Sequence, residues 1–590
     1  MLRRAAIAGA VYAALLVGAG TVIGVLRTLV LAPALGEAVA LALELPVMIV
    51  LAWYLSGLCV TRAAVPLTRR ALTVTAGTAL ATLAVAEIAL AAALHPDGVP
   101  GWLRGLASAT GLAGLLAQLL CALLPLKGLV VSRRGAPARL SWLPGVAVAV
   151  AFGAGLVHAA MSAAGIGGSF VAKTICSGVF VSGRPLEDLT AEAFALSPLV
   201  SARTTRLDVD KSQGMVRARV LGVPGRTAWH RPGYGCALVA DSERDALPPL
   251  PSRRASAAPV VELTRGPVPG LDEAALQATV AEAFAGGTTH AVVVVVDDRI
   301  VAERYAPGID RDTPLPGWSA AKSIFNALTG ILVASGTLDL DEAGLFERWS
   351  GDRRREVTVA QLLRMTSGID FDEDYANPWS DAMRMLFRSD SAADAALTHP
   401  LRHAPGTSFS YTGASTNLLS RLIRDRIGDD QAYHRFPYEA LFTPIGMQVA
   451  VLETDAAGTF VGSSFALASA RGWARLGLLY LHDGVWAGRR ILPRGWVRAS
   501  TREGPAQSGA GYGAHFWLRV PDSLHGSGQT QIAAADAYHA AGFDGQLVTV
   551  VPSRRLVLVR LGLSRGDAGW DHVGFTNAVL AALPAPGQAR

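Results

Sequence analysis

The chain has 590 residues, 51% of them hydrophobic and only 17% charged, with a formal net charge of +6. A mean hydropathy of +0.34 excludes a disordered chain, and so few charges exclude an ordinary soluble enzyme, in which about 25% of residues are charged. The length predicts several domains, at about 100–200 residues each. The positive excess is local: residues 1–164 hold 11 Lys and Arg against 4 Asp and Glu, and the remainder holds 42 against 43.

Five apolar runs, at 5–26, 38–60, 71–94, 106–126 and 140–163, are long enough to cross a bilayer core, which takes about 20 helical residues. The first follows Arg3 and Arg4 but exceeds the roughly 7–15-residue core of a signal peptide, and four more runs follow, so it is read as an uncleaved helix. Arg3, Arg4, Arg62, Arg69, Arg70, Lys127, Arg133, Arg134 and Arg139 fall on one side of this arrangement, and only Arg27 and Arg104 on the other. That bias places the N-terminus in the cytoplasm and everything after the fifth run outside it. The predicted location is therefore the cytoplasmic (inner) membrane, multi-pass, with the C-terminal part extracytoplasmic or periplasmic. The basic charge marks cytoplasmic loops, so the lipid bilayer is the implied partner and nucleic acid is not. Glu44, Glu87, Gln118 and His158 interrupt the runs. They are read as a small interhelical hydrogen-bond cluster, the alternative being a functional cavity.

From residue 165 the pattern changes. Short strands are predicted at 206–210, 215–222 and 236–240, separated by Lys-Ser-Gln-Gly and Pro-Gly turns. Residues 242–259, rich in Pro, Ser and charge, read as a linker, so 165–259 forms a small β-rich lead-in after a membrane domain at 1–164. Cys176 and Cys236 lie in this exported part, where oxidising conditions permit a disulfide, and are predicted to pair. Cys59 and Cys121 lie inside the spans as buried thiols. A larger domain at 260–590 opens with a helix at 272–285 and a hairpin at 290–306 turning at Asp297-Asp298. A matching strand pair, 547–551 and 556–561, turns around 552–555, and the sequence between these ends is mostly helical. One sheet built from both ends of the domain, with a helical insertion, accounts for that pattern.

Several chemistries are excluded by absent motifs. None of the four lysines follows a glycine, so there is no P-loop. There is no H-E-x-x-H, no zinc-spaced cluster and no G-x-S-x-G nucleophile elbow. What is present is Ser319-Ala320-Ala321-Lys322, the chain's one S-x-x-K, followed by an apolar helical pattern through Ile324, Leu328, Ile331 and Leu332. Positions i and i+3 share a helix face, so the hydroxyl and the amine meet. A serine hydroxyl is a weak nucleophile until a nearby base takes its proton, and a helix start offers free N–H groups to a developing oxyanion.

These residues resemble the serine β-lactamase/penicillin-binding-protein superfamily, most closely its β-lactamase-related branch of esterases and 6-aminohexanoate-dimer-hydrolase-like enzymes. WSAAKSIFNALTGILVASG (318–336) is similar to that branch's nucleophile helix, and VTVAQLLRMTSGID (357–370) to its LLxMTSG stretch. FSYTGASTNLL (409–419) stands where the family carries a catalytic tyrosine, LFTPIGM (441–447) resembles the PLGM turn, and YHAAGFDGQ (538–546) resembles the third-motif strand. The resemblance covers roughly 270–583. It implies that Ser319 is acylated, that Lys322 and Tyr411 are the paired bases, and that the oxyanion hole combines the Ser319 N–H with that of Phe543, beside Ala541 and Gly542. No metal or organic cofactor is implied. Two departures matter. The family's Y-x-N reads Tyr411-Thr412-Gly413, with Asn417 too far along to substitute, and its K-T-G or H-x-G reads Ala540-Ala541-Gly542. The cation that holds a β-lactam carboxylate is thus missing, which favours a neutral ester or amide. His539 is one position off, and on a strand it points to the opposite face.

The expected fold is a multi-span α-helical membrane domain joined to an α/β serine β-lactamase-like domain, with an antiparallel sheet from both chain ends flanked by helices and an all-α subdomain. The expected function is a membrane-anchored, extracytoplasmic serine hydrolase acting on a small-molecule ester or amide. The alternative is a membrane sensor, or penicillin-binding-type protein, that binds or is acylated by ligand and signals through its helices.

Overall fold

A computed structural model describes residues 1–27, 37–94, 109–127, 143–195, 200–240, 244, 247–252, 261–286, 288–522, 531–564 and 570–584. Two compact units divide the chain, one of Met1–Ala164 with Ala376–Trp379, the other of Gly165–Tyr375 with Ser380–Arg590. Most of the linker expected at 242–259 lies outside the described residues.

The first unit is helical: α1 (Leu2–Leu26), α2 (Glu37–Arg62), α3 (Arg69–Leu94) and α4 (Ala109–Leu123), followed by the start of α5 (Leu143–Cys176). Small residues set the packing. Ala5 and Ala8 of α1 share a buried cluster with Ala71 and Leu72 of α3, and Tyr12 donates from its hydroxyl to the Cys121 carbonyl (2.6 Å). The polar residues inside these helices find each other: Arg27 Nε lies 2.8 Å from Glu44 Oε2, and Gln118 Nε2 donates to Glu87 Oε1 (2.9 Å). Among the described residues, four helical stretches are long and apolar enough to cross a membrane: Leu2–Val25, Glu44–Arg62, Arg69–Ala89 and His158–Val181. The fourth expected run, 106–126, is described only from residue 109, and the apolar helix there is shorter, Leu115–Lys127.

The fifth run was placed at 140–163, and α5 continues unbroken beyond it to Cys176. Of its apolar window 61% is buried in protein, against 22–28% for the other three. Its C-terminal half is therefore a packed helix of the second unit. Lys173 pairs there with Glu453, whose Oε1 also accepts from the Ser177 hydroxyl and the Cys236 N–H, both at 2.7 Å. Cys176 and Cys236 are joined by a disulfide with Cα atoms 6.1 Å apart.

Strands β1 (Thr205–Asp210), β2 (Met215–Val220), β3 (Thr227–His230) and β4 (Cys236–Val239) form an antiparallel sheet in that order, with Val223–Pro224 adding a fifth, short strand beside β2. After α6 (Glu273–Glu282) come β5 (Thr289–Val296) and β6 (Arg299–Tyr305), joined at Asp297 and Asp298. Both aspartates have positive φ (49° and 63°), the backbone a two-residue hairpin turn demands. Helices α7 (Ala321–Ala334), α8 (Gly413–Ile427) and α9 (Ala470–Leu481) precede β7 (Tyr538–Gly542), β8 (Gln546–Val551), β9 (Leu556–Gly562) and α10 (His572–Ala582). The sheet order is β7-β8-β9-β5-β6, antiparallel throughout. Strands from both ends of the domain thus make one sheet. All eight residues of β5 are buried, as a run of β-branched residues with both faces covered requires. Leu276 and Val280 of α6 and Val579 and Leu580 of α10 pack on one face, and α9 covers the other.

Beneath α10 a polar chain crosses the core. Trp570 Nε1 donates to His572 Nδ1 (3.2 Å), His572 Nε2 lies 2.8 Å from Thr549 Oγ1, and Thr549 Oγ1 lies 2.9 Å from His539 Nδ1. Because His572 Nδ1 accepts, its proton sits on Nε2 and points to Thr549, whose hydroxyl then donates to His539. Both imidazoles are neutral. Burial pushes His539 down to about 3 and His572 well below its ordinary value, the latter helped by the Arg560 charge. An unfolded histidine takes up a proton near pH 6.5 and these two do not, so their stabilisation is complete above that pH and is lost as pH falls. The expected loss is on the order of 1.4 kcal/mol per pH unit for each ring. Denaturant titrations at about pH 7.5 and about pH 5 measure it, and equal unfolding free energies at the two values contradict the neutral pair.

Candidate active site

The turn Trp318–Ala320 leads directly into α7, and it packs against β7, the edge strand of the sheet. Ser319 sits half-buried in this turn and Lys322 lies fully buried in the first turn of α7. Their spacing brings them together: Lys322 Nζ donates to Ser319 Oγ at 2.9 Å. The same ammonium donates to the Ser463 carbonyl (3.0 Å) and lies 4.8 Å from the centroid of the Tyr411 ring. No ion pair among the described residues includes Lys322. Behind it, His515 is buried, its Nε2 within 3.1 Å of Thr416 Oγ1, and burial together with the Lys322 charge drives it down to about 3. It packs there as a neutral group.

Gly542 ends β7 against this turn. A Cβ at Gly542 would lie 2.0 Å from the Gly317 carbonyl oxygen and 3.1 Å from the Ser319 nitrogen, so only glycine lets the strand approach. The Ser319 N–H and the strand end that leads into Phe543 are thereby side by side. Ala541 is buried, and the Phe543 ring, 36% exposed, meets Trp318 edge-on at 5.7 Å. His539 turns away from this face toward Thr549. Trp318 itself holds φ at +46°, an uncommon backbone for a bulky residue and one that clusters at functional sites.

Three residues at the site carried no motif. Asn417 Oδ1 accepts from the Ser463 N–H and Asn417 Nδ2 donates to Ser463 Oγ, both at 3.1 Å. Asn417 therefore does not reach Ser319 but fixes the loop whose carbonyl orients Lys322. Tyr375 donates to Glu373 Oε1 (2.6 Å) and lies beside Ser319. Burial, then the Glu373 carboxylate and Tyr411, hold the Tyr375 phenol well above its ordinary range, so it stays protonated. Glu373 Oε2 accepts from the Gly413 N–H (2.7 Å) at the start of α8, where the helix dipole favours a carboxylate. A Cβ at Gly413 would lie 3.2 Å from Glu373 Oε1 and 3.3 Å from Ser463 Cβ, so a side chain in place of this glycine requires those neighbours to shift. Ser463, Tyr375 and Glu373 lie 36 to 144 residues from Ser319 and Tyr411 in sequence, so only the fold could reveal them.

The β-lactamase family profile matches residues 276–582, more than half of the chain. The chain belongs to the β-lactamase family. A 6-aminohexanoate-dimer hydrolase from Paenarthrobacter ureafaciens is 28% identical over 294 residues, which are 46% of this chain and 69% of that protein. Of solved structures, a penicillin-binding-protein homologue from Caulobacter crescentus is 18% identical with a TM-score of 0.42, covering 54% of this chain and 99% of the other. A family VIII carboxylesterase is 17% identical with a TM-score of 0.40, covering 55% and 99%. As a β-lactamase-family chain, this one departs from the family pattern at Gly413 and at Ala540-Ala541-Gly542.

The contact at Gly542 yields a sharp expectation. Gly542→Ala pushes the Ser319 turn off the strand end and is expected to lower the rate of Ser319 acylation by about 10²–10³, the cost of losing an oxyanion donor. Labelling kinetics with a fluorophosphonate check this, and a wild-type rate in the variant contradicts it.

Proposed function

We propose that this β-lactamase-family chain is a membrane-anchored serine hydrolase that opens an ester or amide bond through an acyl-enzyme on Ser319, with its catalytic domain outside the cytoplasm. The observation that carries the reading is the 2.9 Å contact between Lys322 Nζ and Ser319 Oγ beside the β7 strand end. Ser319 Oγ attacks the carbonyl as its proton passes to the Lys322 amine, with the Tyr411 phenol as the second base. The N–H groups of Ser319 and Phe543 stabilise the oxyanion. Collapse breaks the bond to the leaving group, which takes the proton and departs as alcohol or amine. Water then attacks the acyl-serine ester, the same bases take its proton, the carboxylic acid leaves, and Ser319 is protonated again. Tyr375 holds the hydroxyl in place without losing its own proton.

The amide chemistry in the name of the Paenarthrobacter relative and the ester chemistry in that of the carboxylesterase both fit this scheme. The anchoring reading is supported by the three long apolar helical stretches of the first unit, Leu2–Val25, Glu44–Arg62 and Arg69–Ala89, and by the nine-to-two distribution of basic residues around the apolar runs. A serine-directed probe should label the wild type and spare Ser319→Ala; equal labelling of both overturns the acyl-enzyme. Lys322→Ala and Tyr411→Phe should each slow acylation by about 10²–10⁴, and full activity in either removes that residue from its role.

A further inference from the structure

We infer that the acyl group this site accepts is a long, unbranched apolar chain carried by an amphiphilic ester, and that Phe170 of α5 forms part of the wall that selects it. The inference rests on the serine hydrolase reading and adds the substrate class.

The approach to Ser319 is aromatic. Trp318, Tyr375, Tyr411 and Trp517 are all partly exposed, and Phe543 is one of only three large apolar side chains exposed among the described residues from Gly165 onward, with Leu221 and Val261. They form two groups: Phe543 lies 5.7 Å from Trp318 and 5.9 Å from Tyr375, and Tyr411 lies 5.2 Å from Trp517. A folded domain does not leave a phenylalanine exposed beside a nucleophile for its own stability. Apolar surface gathered around polar reacting groups is what a ligand pocket presents.

The surface continues onto α5. Phe170, itself partly exposed, stacks on Trp318 with ring centroids 6.2 Å apart and planes 6° from parallel, and meets Phe387 edge-on at 5.4 Å. Phe170 lies on the part of α5 that packs into the second unit, so this helix contributes to the wall next to the nucleophile.

Charge argues the same way. Alanines occupy 540 and 541, where a cation would hold a substrate carboxylate. Glu373, whose oxygens are engaged by Tyr375 and the Gly413 N–H, puts a negative charge at the site and disfavours an anionic acyl group. Burial of successive methylenes is then the main source of affinity for the acyl half of the substrate.

The test is hydrolysis of p-nitrophenyl esters from butanoate to hexadecanoate by the full-length protein in neutral detergent, with Ser319→Ala as background. The expected result is a kcat/KM at least about tenfold higher for dodecanoate than for butanoate. Phe170→Ala and Phe543→Ser should each lower the dodecanoate-to-butanoate ratio at least about fivefold. Because the ratio is read within one preparation, partial misfolding of a variant does not imitate the effect, and Phe170→Leu, which keeps an apolar side chain, should retain more of the ratio than Phe170→Ala. A preference for butanoate, or an unchanged ratio in both Phe170→Ala and Phe543→Ser, overturns the inference while leaving the hydrolase reading intact. Absence of Ser319-dependent hydrolysis at every chain length overturns the hydrolase reading and this inference with it.

Discussion

The site depends on how one buried amine is held. Lys322 faces the Ser319 hydroxyl, the Ser463 carbonyl and the ring of Tyr411, with no carboxylate paired to it among the described residues. A neutral carbonyl and an aromatic face hold its nitrogen against the serine hydroxyl. Much of the surrounding structure keeps those neutral partners in place: Asn417 grips Ser463 by both its backbone and its hydroxyl, and His515 fills the space behind as an uncharged ring.

The same logic separates the two tyrosines. Tyr375 has a carboxylate at its hydroxyl, which raises the cost of losing its proton and makes it an orienting group for Ser319. Tyr411 has the Lys322 nitrogen over its ring and stands one residue before the N-cap Thr412 of α8. The two phenols near one serine therefore have different neighbours, a carboxylate at one hydroxyl and an amine over the other ring.

What the sequence disclosed and what it hid follow from the range of the interactions. The S-x-x-K pair was legible because i and i+3 on a helix are neighbours by local geometry alone. The hairpin at Asp297-Asp298 and the strand pair around 552–555 were legible because period-two patterns and turn residues are local too. The β5 valines announced a strand buried on both faces. Tyr375, Glu373 and Ser463 reach the site through long-range packing, and a lone tyrosine in an Asp- and Glu-rich loop carries no signal of that. The continuation of α5 beyond the fifth apolar run was hidden for a related reason: hydropathy measures apolarity and not what covers it. The residues from Gly165 to Cys176 are as apolar as a span because they pack into protein, with Lys173 buried among them and matched by Glu453, a residue 280 positions away.

The departures from the family pattern at Gly413 and at Ala540-Ala541-Gly542 become coherent once the neighbours are known. An asparagine at 413 would crowd Glu373 and Ser463, so the amide that would contact substrate gives way to a carboxylate seated on the α8 N-terminus. A cation at 540 or 541 would attract an anionic substrate group. With alanines there instead, the cleft has an acidic, fully hydrogen-bonded corner at Glu373 and aromatic surface elsewhere. Such a cleft has little to offer a substrate carboxylate. It has much to offer an uncharged acyl group, and the two sequence changes are one electrostatic change made in two places.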